Sequence, residues 1–182
     1  MSENLNLPLL DLPLFDASST EFLAGEQIVE ATLLGIEEAR ERIWGCYFLV
    51  AVGVDQDPHQ RVRDVCDALV RASQRGVDVR LLCDEFESSF DGLPSNEIAV
   101  HFLNQQGVAA RTYRNDRHHS THSKYLLIDD KAQIVGSGNL THGGLYANLE
   151  MAVRVESPDL LRWLGERFLR NWDESPESEP LA

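Results

Sequence analysis

The chain has 182 residues, of which 43% are hydrophobic and 25% are charged, and its formal net charge is −14. This composition predicts a globular domain with a substantial core. The negative charge argues against nucleic-acid binding over the whole surface, because phosphate contacts need clustered Lys and Arg. The sequence shows neither a run of about 18 apolar residues nor a signal-peptide pattern. We therefore expect a cytoplasmic protein without stable insertion in a membrane.

Helical and strand patterns alternate along the chain. Apolar residues at helical spacing predict four helices, at residues 20–42, 58–75, 95–106 and 158–172. Runs rich in Val, Ile, Leu and aromatic residues predict six strands, at residues 43–54, 77–83, 108–113, 123–129, 132–136 and 148–155. Gly76 and Gly107 stand where a glycine commonly ends a helix. Early alternation favours parallel strands, whereas the last strands look antiparallel. We expect an α/β fold with a mixed central β-sheet flanked by helices on both faces.

We interpret the chain as one domain, because no internal repeat or linker interrupts the pattern. Residues 1–18 are rich in Leu and Pro and are expected to form an extended N-terminal arm. Residues 19–172 form the domain, and residues 173–182 an acidic tail that we expect to be disordered. The three cysteines lie in apolar segments without a CxxC pair, which predicts buried free thiols.

A cluster of reactive side chains lies between residues 122 and 150. His122 and Lys124 are two residues apart, so on a strand their side chains point the same way. Ser137 and Asn139 lie in the sequence Gly-Ser-Gly-Asn, whose glycines allow a tight turn. Such a turn would bring a hydroxyl and an amide beside the imidazole and the ammonium. These four groups can surround a tetrahedral anion.

Polar residues near this cluster carry less specific signals. Asp129 is an odd number of residues from His122, so on a regular strand it faces away and suits a structural or supporting carboxylate. A basic stretch before the cluster offers four candidate substrate-binding residues: Arg114, Arg117, His118 and His119. A solvated loop is the alternative interpretation of the arginines. Zinc ligation by these histidines is disfavoured, because no second ligand cluster has zinc spacing, and we expect no metal and no cofactor.

The order of these residues resembles the motif of the phospholipase D superfamily, the HKD phosphodiesterases. That motif is His-x-Lys, four residues, Asp, a Gly-Ser-x-Asn turn and a downstream Glu. Here it is matched by His122, Lys124, Asp129, residues 136–139 and Glu150, and the match makes Asp129 a candidate catalytic residue as well. The resemblance is close over residues 119–155. It implies that residues 19–172 form a phospholipase D-like catalytic domain.

The resemblance also implies roles for the matched residues in phosphodiester cleavage without a metal. His122 would attack phosphorus and form a covalent phosphohistidine. Lys124 and Asn139 would hold the non-bridging oxygens, with Ser137 assisting. Glu150 would bond the far ring nitrogen of the nucleophile and fix its tautomer. This scheme suits phosphoryl transfer, which depends mainly on positioning and charge stabilisation.

The motif occurs once, whereas the implied mechanism needs a second histidine to protonate the leaving group. Larger members of the superfamily carry two motifs in one chain. Two copies of this chain related by a two-fold axis could instead supply His122 of the partner subunit. We therefore expect an obligate homodimer, joined through the active-site face, with one shared active site.

Three functions follow from this interpretation. The short single-motif form resembles bacterial endonucleases of the superfamily and domains of restriction and phage-defence systems, which favours a nuclease acting on DNA or RNA. A phospholipid hydrolase or transphosphatidylase is the second, weakened by the lack of a membrane helix or basic amphipathic helix in the sequence. The third is a catalytically silent nucleic-acid-binding subunit of a defence or repair complex.

Overall fold

A computed structural model describes residues 15–52, 60–85, 96–113 and 120–176. Seven strands lie in this part of the chain: β1 (Ser19–Ala24), β2 (Arg42–Tyr47), β3 (Asp78–Asp84), β4 (Ala109–Tyr113), β5 (Lys124–Ile128), β6 (Ala132–Gly136) and β7 (Met151–Glu156). The α-helices are α1 (Glu26–Glu38), α2 (Arg61–Gln74), α3 (Asn96–Gln105) and α4 (Pro158–Glu174), and a single π-helical turn spans Gly143–Ala147.

The strands form one mixed sheet in the order β1-β7-β6-β5-β2-β3-β4. β2, β3 and β4 are parallel. All other neighbouring strands are antiparallel. The predicted change from parallel to antiparallel strands along the chain is therefore confirmed.

Alternating side chains of the central strands divide the core between two faces of the sheet. Ile43 and Leu126 pack in a large cluster with residues of α1, α2 and α3. Trp44 and Leu127, each one residue further along its strand, pack in a second cluster with α4. The Trp44 ring stacks on Phe168 of α4, with 5.4 Å between ring centroids. Helices therefore cover both faces, as predicted.

The N-terminal part of the domain differs from the prediction. A single helix was predicted over residues 20–42, but β1 occupies its first part, and Gly25, at φ 58°, separates β1 from α1. β1 is an edge strand in which only Leu23 is buried, so its sequence shows no strand alternation. Pairing with β7 decides its conformation. The prediction also made β2 too long, because β2 ends at Tyr47.

Helix ends agree better with the sequence. Gly76 and Gly107 follow α2 and α3 in the left-handed region, at φ 89° and 83°, as predicted for glycines that end helices. α4 continues to Glu174, so the first two residues of the predicted acidic tail are helical. Residues 1–14 and 177–182 lie outside the described residues, and the arm and the remaining tail stay predictions there. Among the described helices, none has the length and apolar character needed to cross a membrane.

Strand direction brings several chain segments to one edge of the sheet. The carboxyl ends of β2, β3, β4 and β6 and the amino ends of β5 and β7 all lie there, as the pairs Tyr47–Lys124 and Gly136–Ala152 show. We call this edge the site edge. Loops that leave parallel strands at their carboxyl ends commonly carry functional residues.

Candidate active site

His122 and Lys124 meet at the site edge, where the chain enters β5. Lys124 is 7% exposed, whereas His122 is exposed. The Lys124 Nζ lies 3.0 Å from His122 Nδ1 and donates a 2.8 Å hydrogen bond to the His122 carbonyl oxygen. The Phe48 ring, just after β2, packs on both residues: its centroid is 4.7 Å from that of the imidazole and 5.3 Å from Nζ. The two side chains thus form a contacting pair on an aromatic support.

The environment of Lys124 affects the charge of this pair. Burial lowers the pKa of Lys124, and the negative charge of Glu150 is the largest effect that opposes the lowering. An ammonium group has donors only, so the His122 Nδ1 accepts from it. A neutral His122 ring in this arrangement therefore carries its proton on Nε2.

Ser137 directly follows β6, in the Gly-Ser-Gly-Asn turn of residues 136–139, and links this turn to the start of β7. Its backbone N–H donates to the Met151 carbonyl oxygen at 3.0 Å, and its Oγ accepts from the Met151 N–H at 3.2 Å. The Ser137 hydroxyl also donates a short hydrogen bond to Glu150 Oε2. Asn148 Nδ2 donates to the other Glu150 oxygen at 3.3 Å.

This placement of Glu150 differs from the expectation that it bonds the far nitrogen of His122. Both of its oxygens accept from neighbours on the turn, and the ring nitrogen Nδ1 of His122 faces Lys124 instead. The structure does bring Glu150 within electrostatic range of Lys124. In the single chain, Glu150 therefore orders Ser137 and favours the charged form of Lys124.

The side chain of Asn139 is oriented by the segment after β2. Its Oδ1 accepts the Leu49 N–H at 3.2 Å, which leaves the amide NH₂ as a donor. A backbone bridge between Leu140 and residues 49 and 51 fixes the two segments side by side. Asn139 can therefore offer N–H groups to an anion at the site edge.

Close packing explains the glycines of the turn. Neither Gly136 nor Gly138 lies in the left-handed region, so the turn does not need them for their φ angles. A Cβ on Gly138 would lie 2.8 Å from the Gly144 carbonyl oxygen, and one on Gly144 would lie 2.3 Å from the Asn139 carbonyl oxygen. The turn and the π-helical turn thus touch backbone to backbone, and only glycine fits between them.

Two buried polar residues at the site edge lie outside the predicted set. Asp84 ends β3 and accepts the Thr121 N–H at 2.7 Å, one residue before His122. Asn96 begins α3 and donates to the carbonyl oxygens of Phe48 and Asp84, at 2.7 and 2.8 Å. One sequence signal could have identified Asp84: it is a carboxylate that directly follows the apolar strand predicted at residues 77–83.

The comparisons with known proteins show the family of the chain. A family model described as the cardiolipin synthase, PLD-like domain matches residues 34–172. The chain belongs to the phospholipase D superfamily. The structure of Nuc from Salmonella typhimurium, a phospholipase D family member, has a TM-score of 0.70 and 23% identity to this chain, and the match covers 87% of this chain and 98% of that one. At this identity the likeness establishes a shared α/β fold.

Two curated relatives of the superfamily are similar over the same region. The chain is 30% identical over 108 residues to a mitochondrial cardiolipin hydrolase from Danio rerio, covering 59% of this chain and 45% of that protein. It is 31% identical over 113 residues to a phospholipase D from Rickettsia felis, covering 59% of this chain and 48% of that protein. The chain thus spans about half the length of the curated relatives it matches.

The aspartate of the phospholipase D motif does not join the other motif residues. Asp129 lies beyond the opposite end of β5, about 17 Å from Lys124 at the usual strand rise. Its carboxylate accepts the backbone N–H groups of Arg40, Glu41 and Arg42 at 2.8–3.0 Å. Burial opposes its ionisation, but these donors outweigh burial and lower the pKa of Asp129. In the structure Asp129 therefore holds the backbone of residues 40–42, and a direct catalytic part for it stays a prediction.

The remaining predicted site residues are not placed. Arg114, Arg117, His118 and His119 lie outside the described residues, so substrate binding by them stays a prediction. Within the described ranges, no group of three or more His, Cys, Asp or Glu side chains could hold a metal ion. The predicted groups that the structure brings to the site edge are the His122 imidazole, the Lys124 ammonium, the Ser137 hydroxyl and the Asn139 amide, with Glu150 and Asp84 beside them.

Proposed function

We propose that the protein is a metal-independent phosphodiesterase, a nuclease that cleaves DNA or RNA through a covalent phosphohistidine. One observation carries this proposal. His122 and Lys124 are in contact at the site edge, where the turn that bears Ser137 and Asn139 also lies. These groups supply a nucleophile, a positive charge and neutral donors, which a phosphodiester transition state requires.

The proposed reaction has two displacement steps at phosphorus. In the first, a ring nitrogen of His122 forms a bond to phosphorus while the bond to the leaving oxygen breaks, and that oxygen takes a proton from His122 of the partner subunit. In the second, the partner's His122 removes a proton from water, which displaces the nitrogen of the first histidine. Lys124 and Asn139 hold the non-bridging oxygens in both steps.

The attacking histidine must be neutral and the proton-donating histidine must be an imidazolium, which becomes neutral when its proton passes to the leaving oxygen. Lys124 offers a means to set the tautomer of the attacking ring. While the ammonium donates to Nδ1, a neutral His122 keeps its proton on Nε2 and cannot attack from that nitrogen. The attacking ring needs Nε2 unprotonated. A bound phosphate would attract Lys124 away from the ring, free Nδ1 to carry the proton and make Nε2 the nucleophile.

Nucleic acid is our first choice of substrate because the motif occurs once in this sequence and in that respect resembles bacterial endonucleases of the superfamily. The match to Nuc spans 98% of that chain, so the two proteins share the fold over nearly the whole of Nuc. The net charge of −14 requires the attraction for phosphate to be local to the site edge. The predicted basic residues before the motif would contribute to it.

Phospholipid is the second candidate, and a specific surface favours it. The relatives named cardiolipin hydrolase support a lipid phosphodiester. Leu149 is 95% exposed and Met151 is 55% exposed, and these two apolar side chains flank Glu150. Exposed apolar groups next to a phosphate site suit an amphiphilic substrate.

A parallel cleavage assay separates the candidates. Purified protein in EDTA is incubated with single-stranded DNA, duplex DNA, RNA and cardiolipin vesicles, alongside His122→Ala and the control His101→Gln on α3. We expect nucleic-acid cleavage and a phosphate adduct on His122 that mass spectrometry detects, both lost only in His122→Ala. Turnover of lipid alone would support the second candidate. Binding without any turnover would support a silent nucleic-acid-binding subunit.

Mixing subunits tests whether two chains share one site. If both histidines are needed, a heterodimer of wild type and His122→Ala is inactive. Excess His122→Ala then lowers activity below the value expected from simple dilution, after the subunits have exchanged. Analytical ultracentrifugation under assay conditions measures the oligomeric state. An active monomer, or activity indifferent to the variant subunit, would contradict the shared site.

A further inference from the structure

Asp84 is a buried carboxylate that lies beside the catalytic pair but outside the motif. It is the last residue of β3 and is 5% exposed. Its Oδ1 accepts the backbone N–H of Thr121 at 2.7 Å. Because Thr121 directly precedes His122, this hydrogen bond holds the backbone that leads into the histidine.

The segment that Asp84 holds has no strand pairing of its own. Residues 120–123 precede β5 and form no helix or strand. Thr121 is fixed on its other side by a 3.4 Å contact between its Oγ1 and Cys46 Sγ on β2. Thr121 is therefore held by two contacts from neighbouring strands, one to its backbone and one to its side chain. These contacts fix the position of the backbone at His122.

Asp84 is itself fixed by a buried amide. Asn96 is 1% exposed, donates to the Asp84 carbonyl oxygen and accepts the Val50 N–H at 2.9 Å. It also holds the carbonyl oxygen of Phe48, whose ring supports His122. Asp84 thus belongs to a set of hydrogen bonds that connects β3, α3 and the segment after β2 to His122 and Lys124.

We propose that Asp84 is a positioning residue for His122 and Lys124, which acts through the Thr121 backbone and through its negative charge. Its effect on catalysis rests on the proposed function, whereas its effect on the geometry and charge of the pair does not. A misplacement of about 1 Å in a catalytic group can lower the rate about 100-fold. Loss of a hydrogen bond one residue away from the nucleophile could displace the nucleophile by such a distance.

The charge of Asp84 acts on Lys124 in a defined direction. The pKa of Asp84 is raised, chiefly by desolvation and further by the charge of Glu85. The hydrogen bond from the Thr121 N–H and the charges of His122 and Lys124 oppose this shift. Conversely, the Asp84 carboxylate favours the ammonium form of Lys124 against the effect of burial. Removing this negative charge should lower the pKa of Lys124 further. Any loss of activity caused by deprotonation of Lys124 then occurs at lower pH.

Two variants separate the hydrogen bond from the charge. Asp84→Asn keeps an oxygen that can accept the Thr121 N–H but removes the charge, and Asp84→Ala removes both. Asp67→Asn, a solvent-accessible aspartate on α2, is the control for loss of one charge. The chain has two lysines, Lys124 and Lys131, so lysine-labelled protein gives two signals in ¹³C NMR, and the 61% exposed Lys131 is an internal reference.

Three measurements test the proposal on variants whose folding is verified by circular dichroism. In Asp84→Asn we expect the Lys124 titration midpoint to fall, with Lys131 unchanged. In Asp84→Ala we expect the Thr121 amide to exchange at least about 10-fold faster. On a chromogenic phosphodiester, Asp84→Ala should lower kcat about 10- to 100-fold and change KM less than about threefold.

The outcomes distinguish this proposal from the proposed function. Folded Asp84→Ala with the wild-type kcat and Thr121 exchange rate, together with an unshifted Lys124 signal in Asp84→Asn, would overturn the role of Asp84. If the wild type cleaves no phosphodiester, the proposed function fails. The lysine titration and the amide exchange then still decide whether Asp84 positions the pair.

Discussion

Replacing Asp129 by Ala should destabilise the protein without impairing the chemistry of a folded molecule. The carboxylate accepts three backbone N–H groups, those of residues 40 and 41 in the loop between α1 and β2 and that of Arg42 at the start of β2. Ala offers none of these acceptors. Asp129 also has φ 50°, a left-handed conformation that Asp tolerates better than Ala. The variant therefore loses the loop's hydrogen bonds and gains backbone strain at one position.

The expected loss of stability is a few kcal/mol. A partly solvated hydrogen bond contributes about 1 kcal/mol, so three contribute about 3 kcal/mol. For a domain of this size, that loss corresponds to a fall in Tm of about 6–12 °C. Asp129→Asn retains one carbonyl acceptor and tolerates the left-handed conformation, and we expect it to lose about half as much.

Urea unfolding measures these losses, and Asp130→Ala is the matched control. Asp130 pairs with Arg42, but its side chain is 73% exposed. We expect this control to change stability by less than about 1 kcal/mol. Phosphodiesterase activity of Asp129→Ala, measured well below its Tm, should equal that of the wild type. Unchanged stability with lost activity would refute the structural role and support a catalytic one.

The pH dependence of stability gives a second check on Asp129. Because its folded pKa is lowered, its contribution is fully present above the unfolded pKa of about 4 and is lost as pH falls through the folded pKa. Wild type and Asp129→Ala should therefore differ most near neutral pH and approach each other in acid. Stability curves that stay parallel down to low pH would contradict this assignment.

Three further predictions concern the site and the core. Lys124→Met should lower kcat at least about 100-fold with the fold intact by circular dichroism, because the ammonium holds the developing charge; wild-type turnover would remove Lys124 from the mechanism. Gly144→Ala should displace Asn139 and lower kcat about 100-fold, since a Cβ would lie 2.3 Å from the Asn139 carbonyl oxygen, and a crystal structure of the variant would show the shift. Burial raises the pKa of Cys46 to about 11, so native protein should react with a thiol reagent far more slowly than urea-unfolded protein; rapid native labelling would contradict the buried core.

Local sequence patterns were reliable where burial and periodicity coincide. The β5–β6 pair was predicted almost residue by residue, because both strands are central and apolar. The edge strand β1 was missed, because its conformation depends on pairing with β7 and little of it is buried. The π-helical turn was also missed, because its backbone is determined by contact with the Gly-Ser-Gly-Asn turn.

The glycines and Asp129 show how spacing can suggest a role for the wrong reason. Gly136 and Gly138 were interpreted through backbone flexibility, whereas the structure uses them for close approach of backbones. For Asp129, the odd number of residues from His122 indicated a supporting role, and the motif suggested a catalytic one. The structure agrees with a supporting role for another reason: β5 separates the two residues along its full length, so distance and not the face of the strand keeps Asp129 away from His122.

Sequence patterns alone predicted the family motif, the mixed α/β sheet and the residues that offer an imidazole, an ammonium, a hydroxyl and an amide. These features follow from residue type and from periodicity along the chain. Which carboxylates lie near these residues depends on the fold. Asp84 and Asn96 lie more than 25 positions before His122, and strand order brings them to it, whereas Asp129 is seven positions away and is carried to the far end of β5. The physical reason is that a strand separates sequence neighbours by about 3.3 Å per residue, while pairing places distant segments about 4.8 Å apart.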